Sequence, residues 1–309
     1  MKISGSWFEF QHHNIKEGKY WNGIFQQMSA EQWENLVAEF AGTGMEYMVL
    51  LSVAQDVKTF FPSRHFPSFE MACQDPLEAL FSAADKHGVK IFVPNDYFGK
   101  WNDANEMFRD PEIHERRVIG TREVVEKYGH HKSFYGWYLP NEAAVAPYFA
   151  DDFITYVKRE RELFRALAPE KPVLIAPYGT CILKADDYLC RQIEEIDADI
   201  FAWQDEVGVR KTTSDRTPEF FQNLRRVFDK VGGKAFWADV EMFTFEGDTY
   251  RSALLPADPE RVKKQLEAVA PWVEKILIYQ YPGLINKPGS AAYKAQPGAE
   301  ELYNALFGK

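Results

Sequence analysis

The sequence is poor in cysteine, with only Cys73, Cys181 and Cys190 among 309 residues. Thiols so few and scattered build neither a disulfide framework nor a metal knuckle, and they are expected as reduced, partly buried side chains. Dense Lys/Arg runs are missing as well: 36 basic residues stand against 46 acidic ones, a formal net charge of −10. That balance excludes phosphate backbones and anionic lipid surfaces as main partners, so neither nucleic acid nor a membrane is expected. No stretch approaches the ~20 apolar residues of a membrane span. No glycine-rich dinucleotide turn follows the first strand, and Gly42-Thr43-Gly44 precedes a strand, the wrong side for phosphate binding. No basic segment with an apolar run and a cleavage site precedes Ile3. The expectation is a cytoplasmic chain, or an exported one whose signal has been removed.

Aromatic side chains, by contrast, are abundant. Phe, Tyr and Trp reach 15% of the chain, with 8 Trp and 15 Tyr. A large core uses the Phe, whereas Tyr and Trp also serve sites that stack flat, partly apolar ligands such as sugar rings. The rest of the composition, 46% hydrophobic and 27% charged, is that of a globular protein.

Short apolar runs alternate with helical patterns from end to end. The expected strands are Ile3–Phe10, Tyr47–Val53, Lys90–Pro94, Phe134–Leu139, Pro172–Ala176, Ile200–Gln204, Ala235–Val240 and Lys275–Gln280. Between them, Trp33, Leu36, Val37 and Phe40 recur at helical spacing, as do Phe220, Phe221, Leu224, Val227, Phe228 and Val231. Ser29 with Gln32 and Asp75 with Glu78 have capping-box spacing, and Asp75-Pro76, Thr217-Pro218 and Asp258-Pro259 place a cap before a proline. Gly44, Gly88, Gly129 and Gly232 fall where helices should stop in left-handed geometry. Eight strand–helix units with continuous apolar strands predict an α/β fold, a single (β/α)8 TIM barrel over residues 1–309.

In such a barrel the chemistry lies where strands end and helices begin. His130 and His131, on the opposite rim, are expected as surface histidines. The functional rim carries His12 and His13 after strand one, and Asp96, Tyr97 and Trp101 after strand three. Asn141 and Glu142 follow strand four, Trp203, Gln204, Asp205 and Glu206 mark the end of strand six, Glu241 ends strand seven, and Tyr279 and Tyr281 end strand eight. Strands four and seven lie across the mouth from each other, so Glu142 and Glu241 can share one space.

With Asn141-Glu142 after strand four and Glu241 at the end of strand seven, the sequence resembles clan A of the glycoside hydrolases. Gly5-Ser6-Trp7-Phe8, Gly136-Trp137-Tyr138-Leu139-Pro140-Asn141-Glu142 and Ala238-Asp239-Val240-Glu241-Met242-Phe243 are similar to a little-characterised bacterial group of that clan. The clan often has a tyrosine after strand six and a tryptophan after strand eight, where this chain has Trp203-Gln204-Asp205-Glu206 and Tyr279-Gln280-Tyr281. The resemblance implies a cofactor-free retaining glycosidase acting on a glycoside or oligosaccharide. Glu241 would be the nucleophile and Glu142 the general acid/base, its pKa raised by burial and by the charge of Glu241. Asn141 would donate to the sugar 2-hydroxyl or to the nucleophile. Trp101, Trp203, Tyr279 and Tyr281 would be stacking platforms, and His12, Asp96, Tyr97, Gln204 and Asp205 further substrate contacts.

Other readings use the same rim. Glu142 could cap the helix near Asp151, and Glu241 could pair with a lysine or arginine. A sugar isomerase-like barrel could hold Mn or Mg with Glu142, Asp205, Glu241 and His12 or His13. A carbohydrate-binding barrel without turnover would use both glutamates to bind hydroxyls. No residue pattern specifies an oligomeric state.

Overall fold

The computed structural model describes residues 2–142 and 144–308. Eight parallel strands close on one another: β1 Gly5–Phe8, β2 Tyr47–Leu50, β3 Lys90–Pro94, β4 Phe134–Leu139, β5 Val173–Ile175, β6 Ile200–Gln204, β7 Ala235–Glu241 and β8 Lys275–Tyr279. Each pairs with its neighbours in sequence, and β8 returns to β1 through Gly5 opposite Leu277. The expected α/β barrel is what forms. Four of the eight strands are shorter than their apolar runs, because a flanking residue such as Val53 is core without belonging to the ladder, and β7 runs one residue further to take in Glu241.

Side-chain alternation sorts the strands into two layers. Trp7, Val49, Phe92, Tyr138, Leu174, Ala202, Trp237 and Leu277 fill the barrel interior. Their neighbours Phe8, Leu50, Val93, Leu139, Phe201 and Ile278 join the larger core beneath the helices. Gly136 in β4 is required by that filling, since a Cβ there would lie 2.6 Å from the Phe92 ring.

The outer helices start as their sequences suggest. Ser29 and Gln32 form a reciprocal capping box on helix Ala30–Gly42. Asp75 and Asp258 accept from the backbone amides of Glu78 and Arg261. Thr217 behaves differently: it is already inside the helix Thr217–Val231, Arg216 holds the cap position, and the Thr217 hydroxyl donates back to Thr213 O. Gly44, Gly88 and Gly232 have positive φ, whereas Gly129 stays right-handed at φ −62°. His131 is not at the surface. It is buried on the Phe81 ring with Nδ1 2.8 Å from Asp85, while His130 is exposed. The three cysteines are free thiols. No helix among the described residues is long and apolar enough to cross a membrane.

Two short antiparallel hairpins, absent from the sequence reading, decorate the functional rim: Ala54–Gln55 with Lys58–Thr59, and Phe243–Phe245 with Leu254–Pro256. The second follows β7 directly and hangs Phe243, Phe245, Tyr250 and Leu254 over the mouth.

Candidate active site

A cavity of about 550 Å³ opens at the carboxyl ends of the strands, and Asn141, Glu142 and Glu241 all line it. The alternation that puts Trp237 inside the barrel places Asp239 and Glu241 on the same inward face of β7. On β4 the inward Tyr138 leads past Pro140 to Glu142. Glu142 does not cap a helix: the helix Asp151–Leu167 has Ala150 at its cap, with no side-chain hydrogen bond. Glu241 makes no ion pair among the described residues.

Glu241 is almost fully buried, and its Oε2 accepts from the Val209 amide at 2.8 Å. Gly208 permits that contact, because a Cβ at this position would meet the Glu241 Cβ at 2.8 Å. Behind Glu241, Asp205 accepts from the Glu241 backbone amide at 3.2 Å and from the Gln265 amide at 2.7 Å. Burial, and then the like charge of Asp205, push the Glu241 carboxyl well above the ordinary range, while the Val209 amide and Lys211 pull it down. Asp205 itself is pushed up to about 6 by burial.

Glu142 stands half-buried in the wall, and its carboxyl is pushed up to about 7. Burial is the main cause, opposed by a hydrogen bond with Gln204 and by Lys211. The like charge acting on it is that of Glu206, not of Glu241 as expected from sequence. Lys211, at the open side of the cavity, binds Glu206 at 3.0 Å and lies over the Tyr178 ring.

Of the expected substrate contacts, His12, Tyr97, Trp101, Gln204 and Tyr279 reach the cavity. The Asn141 amide nitrogen is already engaged, donating to Asp96 and to the Tyr156 hydroxyl, so it braces the mouth from behind. His12 accepts at Nδ1 from the Asn14 amide, which leaves its proton on Nε2, 3.1 Å from the Tyr279 hydroxyl. Burial holds His12 well below the usual histidine range and His13 at about 4, so both are neutral at pH 7. The Tyr97 hydroxyl donates to Pro140 O, and the Trp101 ring packs on His13 with centroids 4.5 Å apart. A second cavity, about 570 Å³, lies on the other side of Trp101.

Four expected contacts lie elsewhere. Trp203 has the opposite parity to Gln204 and is fully buried under the helices against Phe149. Tyr281 follows the end of β8, where its amide turns to Ser6 Oγ and its ring packs on Phe40. Asp96 is buried behind Asn141 beside Arg117, and Asp205 is buried behind Glu241. The cavity also contains residues that were not singled out: Glu17, Lys211 and Asp239. Asp239 was concealed in an apolar run, although the period-two spacing Trp237, Asp239, Glu241 marks it. Lys211 lies in the long loop after β6, which no periodicity resolves. No group of three or more His, Cys, Asp or Glu side chains among the described residues is placed to hold a metal.

Solved structures share this architecture. A Bacteroides thetaiotaomicron protein assigned as an alpha-L-fucosidase superposes with a TM-score of 0.75 at 18% identity, over 99% of this chain and 92% of that one. The catalytic domain of the major endoglucanase from Xanthomonas campestris pv. campestris gives a TM-score of 0.60 at 11% identity, over 100% of this chain and 95% of that one. A GH2 beta-galacturonidase from Eisenbergiella tayi gives 0.56 at 13% identity over 99% of this chain, which spans about half (51%) of that longer protein. At these identities the likeness is one of fold, the closed barrel of eight parallel strands. No curated protein matches the chain. Residues 3–292, which take in all eight strands and the whole mouth, match the family described as a domain of unknown function (DUF4434), and the chain belongs to that family.

Proposed function

We propose that the protein is a retaining glycoside hydrolase in which Glu142 is the general acid/base and Glu241 the nucleophile. The observation that carries this reading is the convergence of the two glutamates, from β4 and β7, on one open-mouthed cavity with an aromatic wall. Glycoside cleavage needs a proton for the departing oxygen and a carboxylate for the anomeric carbon. A carboxyl held at about 7 by burial is protonated in a useful fraction near neutral pH, which suits Glu142 to proton donation. Glu241 attacks as the anion, which the Val209 amide and Lys211 stabilise against its burial and the charge of Asp205. The glycosyl–Glu241 ester then forms as the aglycone leaves with the Glu142 proton. Glu142, now a base, takes a proton from the water that cleaves the ester, and the sugar departs with its configuration retained.

The pH profile follows from these groups. Turnover needs Glu142 protonated, so it falls as pH rises through about 7. It also needs Glu241 ionised, so it falls on the acid side as the Asp205–Glu241 pair takes up protons, above the ordinary carboxylate range because burial raises both. A narrow bell near neutral pH is expected. Glu142→Gln should lose about 10²–10⁴-fold on substrates with poor leaving groups, and its residual rate should no longer decline above neutral pH. An unchanged alkaline limb in that variant would show that another group supplies the proton. Stereochemistry is read by NMR of the first anomer released from an aryl glycoside; an inverted product would leave Glu241 as a base rather than a nucleophile. Chelation is expected to leave the rate unchanged. Loss with EDTA and recovery with Mn would instead favour the metal-dependent isomerase chemistry.

A further inference from the structure

Below Glu241 on the inward face of β7, the Asp239 carboxyl closes the floor of the cavity. It is 2% exposed, and its Oδ1 has no hydrogen-bond partner in the protein. A buried polar atom left unpaired is costly, and in a binding cavity the ligand is the group able to satisfy it. Asp239 is two residues from Glu241, so it lies about 6.6 Å deeper along the strand. That depth matches one sugar ring whose anomeric carbon sits between Glu142 and Glu241 and whose far hydroxyls point inward.

Charge decides which sugars fit. Glu17, Glu142, Asp239 and Glu241 all line the cavity, against one ammonium, Lys211, which is already bound to Glu206. The two histidines in the wall, His12 and His13, add no positive charge at neutral pH. A carboxylate or sulfate on the ring would therefore enter a cavity that offers no free cation among the described residues, and its charge would oppose the ionisation of Glu241 that attack requires.

We propose that Asp239 is a specificity-determining residue that binds the non-anomeric hydroxyls of a neutral terminal sugar, and that the carboxyl-lined wall excludes uronic acids. This rests on the glycosidase reading for the placement of the anomeric carbon, but its test does not require turnover. Calorimetric titration of the full chain at pH 7 with glucose, galactose, mannose, glucuronate and galacturonate measures binding directly. At least one neutral hexose should bind, about tenfold or more tighter than its uronate. Asp239→Ala should weaken that hexose by about tenfold or more, since a hydrogen bond to a charged or buried acid is lost. Asp239→Asn, near-isosteric and expected to fold, should narrow the gap between hexose and uronate, which a merely structural role would not do. Equal or tighter uronate binding, no binding by any of the five sugars, or an unchanged hexose-to-uronate ratio in Asp239→Asn overturns the proposal. The two readings fail separately. Hexose binding of this kind without turnover of any aryl hexoside sinks the glycosidase assignment alone, and turnover of an aryl uronide sinks this one alone.

Discussion

Glu241→Gly is expected to lower turnover of an activated aryl glycoside by roughly 10⁴-fold or more, the scale on which an enzyme loses rate with its nucleophile. The substitution removes the carboxylate that receives the Val209 amide hydrogen bond and leaves space at the inward face of β7. Azide fits such a space. It should attack the anomeric carbon as the aglycone leaves, restore part of the rate, and yield a glycosyl azide of inverted configuration. Deglycosylation is bypassed, so the rescue depends on azide concentration and not on Glu142 acting as a base. Circular dichroism should show the barrel intact, because Asp205 retains Gln265 and the backbone amides as donors. Full activity without azide would remove Glu241 from the chemistry. Loss of activity with no rescue and no glycosyl azide would leave it with a structural role.

The barrel was legible because its signals are local. Parallel strands covered on both faces read as unbroken apolar runs, and caps such as Ser29 and Asp75 punctuate the helices by hydrogen bonds within one turn. The placement of Glu142 and Glu241 at the cavity was legible for a related reason: in a barrel the end of a strand is also the edge of the mouth. Contacts one or two residues away were not. Trp203 and Gln204 are neighbours in sequence, yet the strand pleat sends the first under the helices and the second into the cavity. Tyr281 would face inward if β8 continued, but the strand stops at Tyr279 and the Ser6 hydroxyl captures the next backbone turn. Asp96 and Asp205 look like ligand-binding acids on paper. Both are instead spent on protein groups, a choice that depends on partners from distant segments such as Arg117 and Gln265. Likewise, a long loop gives no periodic signal for Lys211, whose position depends on its pairing with Glu206.

The support behind Asn141 leads to the second large effect. Arg117, in the helix Pro111–Tyr128, is fully buried. Its guanidinium donates to Glu160 at 2.6 Å and to Met107 O, lies 3.3 Å from Asp96, and covers the Tyr156 ring. Glu160 also accepts from Asn95, and Asp96 from Asn141, so one cation ties the ends of β3 and β4 to two outer helices. Arg117→Ala leaves buried Asp96 without its cation and Glu160 with only Arg159 and His114 beside it, a change worth about 3–5 kcal/mol of stability. Arg117→Lys keeps the charge but loses the planar fork and should cost less. The sign of the pH dependence separates this account from simple loss of packing. Burial already pushes Asp96 up to about 6 against the pull of Arg117, and Arg117 is among the groups that hold Glu160 below the ordinary carboxylate range. Without the arginine Asp96 rises further and Glu160 loses part of the pull that keeps it low, so the folded variant binds more protons than the folded unmodified chain over that range. Its deficit in denaturant unfolding should therefore be greatest at and above neutral pH and shrink as pH falls toward ordinary carboxylate values. A deficit independent of pH would mean that the side chain acts through its volume. An unfolding midpoint equal to that of the unmodified chain at neutral pH would mean that the buried charges do not brace the mouth.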